Sequence, residues 1–285
     1  MRKFYAFVLT ALFAGSLFYS CDSNELAVPD DVVSPEILDQ LSAAGYDTEN
    51  VFKTDFQDKT GYVVEYDMFM TAEQIGKLQP QISVPNTEHY RTTNLVTGLP
   101  RVIKVAIDPA FANSAQTAFD NMIAAFNAEN IELFFQETSV TVTISGKGKK
   151  KTTTVDTDAD IFISSFSERP RRGFITLGIA AGFPEGGDPA NGFGLNSYWI
   201  NNYNPSVAEL TGVMIHEVGH TIGLRHTDYT TRESCGQNTN EGAAGVGAIY
   251  IPGTPTGADG TSIMQACGPS RVFNANDVTA LNYLY

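Results

Sequence analysis

The chain has 285 residues and a formal net charge of -14 at pH 7, from 32 acidic and 18 basic side chains. That length accommodates one enzyme domain of about 180 residues plus smaller pieces. The excess of acid repels phosphate and excludes nucleic acid as a partner, while leaving the substrate open.

Arg2-Lys3 precedes an apolar run from Phe4 to Phe18. At about 15 residues the run is too short to span a bilayer and reads as a secretory signal. Ser20-Cys21 resembles the end of a bacterial lipobox, which implies acylation of the Cys21 thiol. Residues 1–21 are then a lipoprotein signal, and the chain is exported to the cell envelope and held at the membrane by its lipid; ordinary secretion is the alternative. Residues 22–35 are polar with two prolines and read as a tether.

Residues 36–98 read as a small α+β domain. Ile37, Leu38 and Leu41 have helical spacing, Tyr62 to Met70 has the composition of a strand, and Thr71 caps a helix through Leu78. His89 reads as a satisfied surface residue. The main domain, 99–285, opens with a strand at Val102 to Ile107, an amphipathic helix at Ser114 to Glu129 and a strand at Ile131 to Gln136. That order begins a twisted mixed sheet. Val140 to Ile144 and Thr152 to Asp156 flank a basic run, Lys147 to Lys151, which reads as a solvated hairpin tip. Further strands are expected at Asp160 to Phe166 and Gly192 to Ile200. Between them lies the glycine-rich loop Gly182 to Gly192, whose oxygen-bearing side chains would suit Ca2+, although no strict calcium spacing is present.

Asn204-Pro205 precedes Ser206 and Glu209, the S-x-x-E pattern that starts a helix. On that helix lies His216-Glu217-Val218-Gly219-His220, and the stretch continues through Gly223 to His226, so three of the four histidines fall within HExxHxxGxxH. His216 and His220 are one turn apart and can address one ion about 2.0–2.1 Å away. Glu217 lies about 100° of helical rotation from His216, beside the metal, where a base for a water is needed. Gly223 can end the helix in a left-handed conformation and return His226 as third ligand. Three protein ligands leave a fourth position for water, the mark of a catalytic zinc site. Met214 and Val218 form the back face of the helix. In an exported compartment Cys235 and Cys267 can pair, or they remain separate buried thiols. Val278, Leu281 and Leu284 make one face of a terminal helix.

The eleven-residue motif resembles the metzincin clan of zinc peptidases, and the run through Thr221-Ile222-Gly223-Leu224-Arg225-His226-Thr227-Asp228-Tyr229 is similar to the bacterial HEIGH metallopeptidase family, over residues 99 to 285. The resemblance implies an α+β metzincin-like catalytic domain with one catalytic Zn2+, a twisted mixed sheet, an active-site helix and a C-terminal helix. It also implies a Met-turn at Met264, and a cleft-edge strand at Leu195, Asn196, Ser197, Tyr198 and Trp199 that pairs with a peptide substrate. The residues after the third histidine, Thr227 and Asp228, depart from the sorted metzincin groups. Ala266 stands where astacin-like enzymes carry a tyrosine. Many metzincins hold an inhibitory pro-segment ahead of the catalytic domain. Residues 36–98 are either such a segment, with an aspartate such as Asp67 in place of the absent cysteine, or an accessory domain. The expected activity is that of a monomeric zinc endopeptidase. The alternatives are a lipid-anchored binding protein with a structural zinc and an exported zinc hydrolase of a non-protein substrate.

Overall fold

A computed structural model describes residues 32–78, 89–146, 152–242, 246–268 and 272–285. Helix α1 (Pro35–Ala43) begins at Ser34, whose Oγ accepts the Ile37 N–H. Strands β1 (Phe52–Phe56) and β2 (Lys59–Val64) form a hairpin across Gln57-Asp58, both with positive φ as a tight two-residue turn requires. The strand expected from Tyr62 to Met70 breaks at Glu65 and Tyr66, where φ is 54° and 76°, and resumes as β3 (Met68–Met70). Thr71 and Gln74 box the start of α2 (Ala72–Gly76). A short β4 (Tyr90–Arg91) follows.

Next come β5 (Arg101–Ile107), α3 (Asn113–Ala128) and β6 (Leu133–Glu137), a unit in which β5 and β6 pair in parallel. Strands β7 (Val140–Ser145) and β8 (Thr152–Thr157) form a separate hairpin whose lysine-rich tip lies outside the described residues. They are followed by β9 (Ile161–Phe166), β10 (Gly178–Ala180), β11 (Gly192–Asn196), α4 (Ser197–Tyr203), α5 (Val207–Thr221), β12 (Ile249–Tyr250) and α6 (Ala275–Leu284). Strand β12 pairs with β4. The large sheet has the order β1-β2-β3-β10-β11-β9-β5-β6. Its β6, β5, β9 and β11 are parallel, and β10 runs antiparallel to β11.

The core lies between this sheet and the helices α3 and α5. Phe119, Met122 and Phe126 of α3 face Leu210, Met214 and Val218 of α5 and Ile103, Val105 and Ile161 of the strands. Burying each such large side chain contributes about 1.5–3 kcal/mol before conformational entropy is subtracted. The terminal Tyr285 completes the packing: its hydroxyl donates to Ile222 O at the end of α5 and accepts the Val96 N–H.

Strands β1, β2 and β3, from the stretch 36–98 expected as a domain ahead of the main one, belong to the main domain's sheet. Strand β3 pairs with β10 at Met68↔Ala180, and the Ala180 N–H donates to Asp67 O at 2.6 Å. Ile37, Leu41, Val64, Met68 and Ile75 pack with Ala180 in one apolar cluster. The chain from Asp31 to Tyr285 is one compact unit. His89 is buried rather than at the surface, with Nε2 3.4 Å from Asp259 Oδ2. Among the described residues no helix is long and apolar enough to cross a membrane. The signal segment with Cys21, and the tether up to residue 31, lie outside them.

Candidate metal centre

Helix α5 is set at its start by the Ser206–Glu209 capping box and at its end by Gly223, where φ is 106°. The Gly223 N–H donates to His220 O and the Leu224 N–H to Gly219 O, closing the last turn before the chain reverses. A side chain at Gly223 would press on Leu95 Cδ2 at 2.9 Å. The reversal places His226 opposite the two helix-borne rings.

The three Nε2 atoms converge. His216 and His220 stand 3.1 Å apart, His220 and His226 3.2 Å, and His226 and His216 3.3 Å. Tetrahedral ligands about 2.0–2.1 Å from one ion are about 3.3 Å apart, so the rings fit a single small cation. Each Nδ1 is engaged elsewhere: His216 with Ile263 O at 2.8 Å, His220 with Leu224 O at 2.9 Å, and His226 with Glu241 Oε1 at 2.8 Å. Those acceptors hold the Nδ1–H tautomer and leave every Nε2 lone pair facing the centre.

The fourth position, expected to be left to water, holds a carboxylate. Asp67 Oδ2 lies 2.8 Å from His226 Nε2 and 3.7 Å from His216 Nε2. Ligand atoms of Asp67, His216, His220 and His226 all lie within 4.8 Å of one another, the only such grouping of three or more among the described residues. The glycine-rich loop builds no second one there: Asp188 Oδ1 accepts Arg101 Nη2 at 2.7 Å.

Glu217 is buried beside the rings, and its Oε2 has no hydrogen-bond partner. Gly178 makes room for it, since a Cβ there would collide with the Glu217 carboxylate. Burial and the nearby charge of Asp67 push the Glu217 carboxyl well above its usual range, opposed by His226. Burial and the two neighbouring rings push His220 down. For His226 burial works against protonation, but Asp67 and Glu241 outweigh it and raise the ring. Asp67 Oδ1 is also buried without a partner. Two orphaned carboxylate oxygens around three imidazoles are costly unless a cation lies among them.

Beneath the rings, Met264 packs where the motif's Gly219 lacks a side chain; a Cβ at Gly219 would collide with Met264 Sδ. The turn is anchored from α6, where Asp277 accepts Ser262 Oγ and the Ile263 N–H. Thr227 N–H donates to Met264 O at 2.8 Å. Asp228 accepts the Ser234 N–H, Ser234 Oγ and the Ala266 N–H, tying the third-ligand turn to the Met264 turn beside the Cys235–Cys267 disulfide.

A second set of contacts grips the segment carrying Asp67. Arg232 Nη1 pairs with Glu241 Oε1, and its Nη2 donates to Glu65 O at 3.3 Å. Arg225 Nη2 lies 3.5 Å from Glu65 and 3.7 Å from Glu241. The Arg232 guanidinium lies 4.7 Å from the centre of the Tyr66 ring, and Gln237 Nε2 donates to Tyr66 Oη. Both arginines and both glutamates are buried. Left-handed conformations at Glu65 and Tyr66 cost about 1–3 kcal/mol each, which these contacts offset.

The five residues expected as a cleft-edge strand take other roles. Leu195 and Asn196 end β11, which is paired on both sides, and Ser197, Tyr198 and Trp199 open α4. The Asn196 side chain caps α4 through the Tyr198 N–H and donates to Glu168 O and Thr176 O. Ser197 Oγ donates to Phe166 O. Of the five, Trp199 lines the cavity beside Glu217, a cleft of ≈ 400 Å³. The cavity is also lined by Phe174 to Leu177, the run leading into β10, which among the described residues pairs outward with β3 only at Ala180. No motif marks that run, and β10 is three residues long. Glu241 and Arg232 likewise carry no spacing signal, standing in an irregular stretch after His226.

No curated protein sequence matches the chain. Similar solved structures include two of myroilysin. The first has a TM-score of 0.42 at 12% identity, covering 69% of this chain and 98% of that one. The second has a TM-score of 0.40 at 12% identity, covering 73% and 99%. Another is high choriolytic enzyme 1, a hatching enzyme zinc-protease from Oryzias latipes (medaka fish), with a TM-score of 0.35 at 16% identity, covering 64% of this chain and 88% of that one. Residues 62–285 match the family described as dual-action HEIGH metallo-peptidase, a span that includes Asp67, the three histidines, Glu217 and Met264. The chain belongs to the dual-action HEIGH metallo-peptidase family.

Proposed function

We propose that this metallopeptidase is a zinc-dependent endopeptidase of the metzincin type, with Glu217 as its general base. The observation that carries the reading is the trio of Nε2 atoms within 3.1–3.3 Å of one another beside a buried, unpartnered Glu217 carboxylate. His216, His220 and His226 would hold the ion. Zinc in such a site supplies a Lewis acid that polarises a carbonyl and brings a water's pKa toward about 7.

The chain's own residues supply the rest. Glu217 takes a proton from the attacking water and returns it to the leaving amine, a role that its unoccupied Oε2 leaves open. The run Ile175 to Leu177, which lines the cavity, is where a peptide substrate would lie alongside β10, and Trp199, Val213 and Ile263 line the cavity with apolar surface. Glu241, Ile263 and Leu224 keep the three rings oriented through Nδ1. A binding module with a structural zinc has no use for a buried general base, which favours the enzyme over that rival. The export and Cys21 lipidation read from the N-terminal sequence accord with the Cys235–Cys267 disulfide, a bond of oxidising compartments.

The test is digestion of a peptide library by the Asp67→Asn chain, in which the carboxylate beside the rings is neutral, with and without a chelator. Cleavage within peptides should stop on chelation and return with zinc. It should also be absent from the chain that carries Glu217→Ala in addition. Cleavage that survives either treatment overturns the assignment.

A further inference from the structure

We propose that the cleft continues into an arginine-lined cavity that takes a carboxylate side chain of the peptide substrate, so that the enzyme prefers an acidic residue within about four positions of the bond it cuts. The proposal rests on the peptidase reading of the metal centre and deepens it by naming the class of peptide.

The second cavity, of ≈ 330 Å³, is lined by Arg169, Arg171 and Arg172 and by Phe52 of β1. Tyr66, Phe174 and Thr176 line it and also line the cleft beside Glu217, so the two cavities share a wall. Gly178, which packs on the Glu217 side chain, lies four residues beyond Phe174, and four residues span at most about 14 Å. A peptide seated at the metal centre therefore reaches the arginines with a residue close to its scissile bond. The net charge of -14 disfavours an acidic peptide over most of the chain, and three of its 18 basic residues, gathered within 169–172, reverse the sign locally.

The guanidinium groups are held but not used up. Arg171 meets Glu168 Oε1 through Nε at 2.6 Å and lies over the Phe52 ring at 4.8 Å, leaving its two Nη atoms without an acceptor among the described residues. Arg169 lies 5.9 Å from the centre of the Tyr198 ring and has no ion pair among those residues. Arg172 donates to Glu49 O at 3.1 Å, and the largely exposed Glu49 carboxylate is 4.0 Å away. Two acids thus stand against three guanidinium groups, and the excess positive charge calls for an anion. A guanidinium is the group that takes a carboxylate in two parallel hydrogen bonds.

The loop that bears them is fixed at both ends. Arg171 and Phe174 exchange backbone hydrogen bonds of 2.8 and 2.9 Å across a two-residue turn, with φ of 49° at Arg172 and 90° at Gly173. Upstream, the Glu168 N–H donates to the buried Asn196 side chain, whose Nδ2 donates to Glu168 O. Asparagine or glycine would take the Arg172 conformation at less backbone cost, so arginine there departs from what the turn itself favours. A loop already set in place loses little freedom on binding.

The experiment uses twin peptides that differ only in Asp against Asn, or Glu against Gln, at each of four positions on either side of the cleaved bond. They are offered to the Asp67→Asn chain that tests the peptidase assignment. Binding is read on the chelated chain by anisotropy of dye-labelled twins, and kcat/KM on the zinc-loaded chain. At one position or more the acidic twin should be favoured about three- to tenfold in both readouts at low salt, a margin that shrinks as salt is added. Arg169→Gln with Arg171→Gln should bring that ratio near one, and Arg169→Lys with Arg171→Lys should restore only part of it. Equal treatment of the twins at every position overturns the proposal, a result that needs no arginine variant to fold. A preference that the glutamine variant retains overturns it too, as does one confined to peptides ending in a free α-carboxylate, which would assign the arginines to a chain terminus. The peptidase reading fails separately: twins told apart in binding yet cut in neither form strike the enzyme and leave the cavity standing.

Discussion

Two halves of the metal centre are built in different ways. His216, Glu217 and His220 stand on one helix that starts at the Ser206–Glu209 capping box, and local spacing alone puts the two histidines on one edge with Glu217 beside them. His226 and Asp67 stand on turns and are aimed by a buried run of ionic contacts through Glu241, Arg232, Arg225 and Glu65. The helix half is a consequence of sequence periodicity, whereas the turn half exists only once the fold is complete. The first should therefore tolerate damage to the ionic run, and the second should not.

The largest effect expected is in the helix half and is kinetic. Glu217→Ala, in the Asp67→Asn background, should lower kcat by about 10²–10⁴-fold, the range for loss of a general base, with zinc content unchanged. Steady-state kinetics with metal analysis on the same sample checks both. Glu241→Gln strikes the turn half. It leaves Arg232 and Arg225 without their shared acid and weakens the hold on His226 Nδ1, so stability should fall by about 3–5 kcal/mol and metal affinity about 10–100-fold. Denaturant midpoints and zinc competition titrations read the two. Equal loss of His216 and His226 ring order in that variant, followed by histidine NMR, would erase the distinction between the halves.

Smaller effects refine the picture. Cys235→Ser with Cys267→Ser opens a link across a separation of 32 residues and should cost roughly 3–4 kcal/mol, measured as the urea midpoint. Gly219→Ala sets a methyl against Met264 Sδ and should cost about 1–3 kcal/mol through overpacking beneath the helix half. Asp228→Asn should cost about 1–2 kcal/mol at neutral pH. Burial opposes the Asp228 charge, but the Ser234 and Ala266 hydrogen bonds outweigh it and hold the carboxyl below its ordinary range. Its contribution is thus present above that range and lost as pH falls through the lowered value, so the gap between wild type and Asp228→Asn should narrow in acid.

The same division explains what could be read from the sequence. Helix α5, its Ser206 start and its Gly223 stop follow from short-range spacing, and the structure places each as that spacing requires, whereas the Met264 turn was expected from the resemblance alone. The cleft wall does not. The resemblance implied an edge strand at Leu195 to Trp199, yet β11 is enclosed between β9 and β10, a three-residue antiparallel strand too short to announce itself. Asp67 was legible only as one acid among many, since what distinguishes it is the break of the strand at Glu65–Tyr66, set by distant arginines rather than by its neighbours. Continuity of β3 with β10 was hidden for the same reason: a strand partner 112 residues on leaves no local trace.

The central claim is that the helix-borne imidazoles of His216 and His220 and the turn-borne imidazole of His226 meet at a single cation. Its most direct test is the zinc-to-protein ratio of the full chain and of His226→Ala after dialysis against a mild chelator. The account predicts one zinc per chain in the wild type and near loss of it in the variant. Equal retention in both, or no zinc in either, would contradict it.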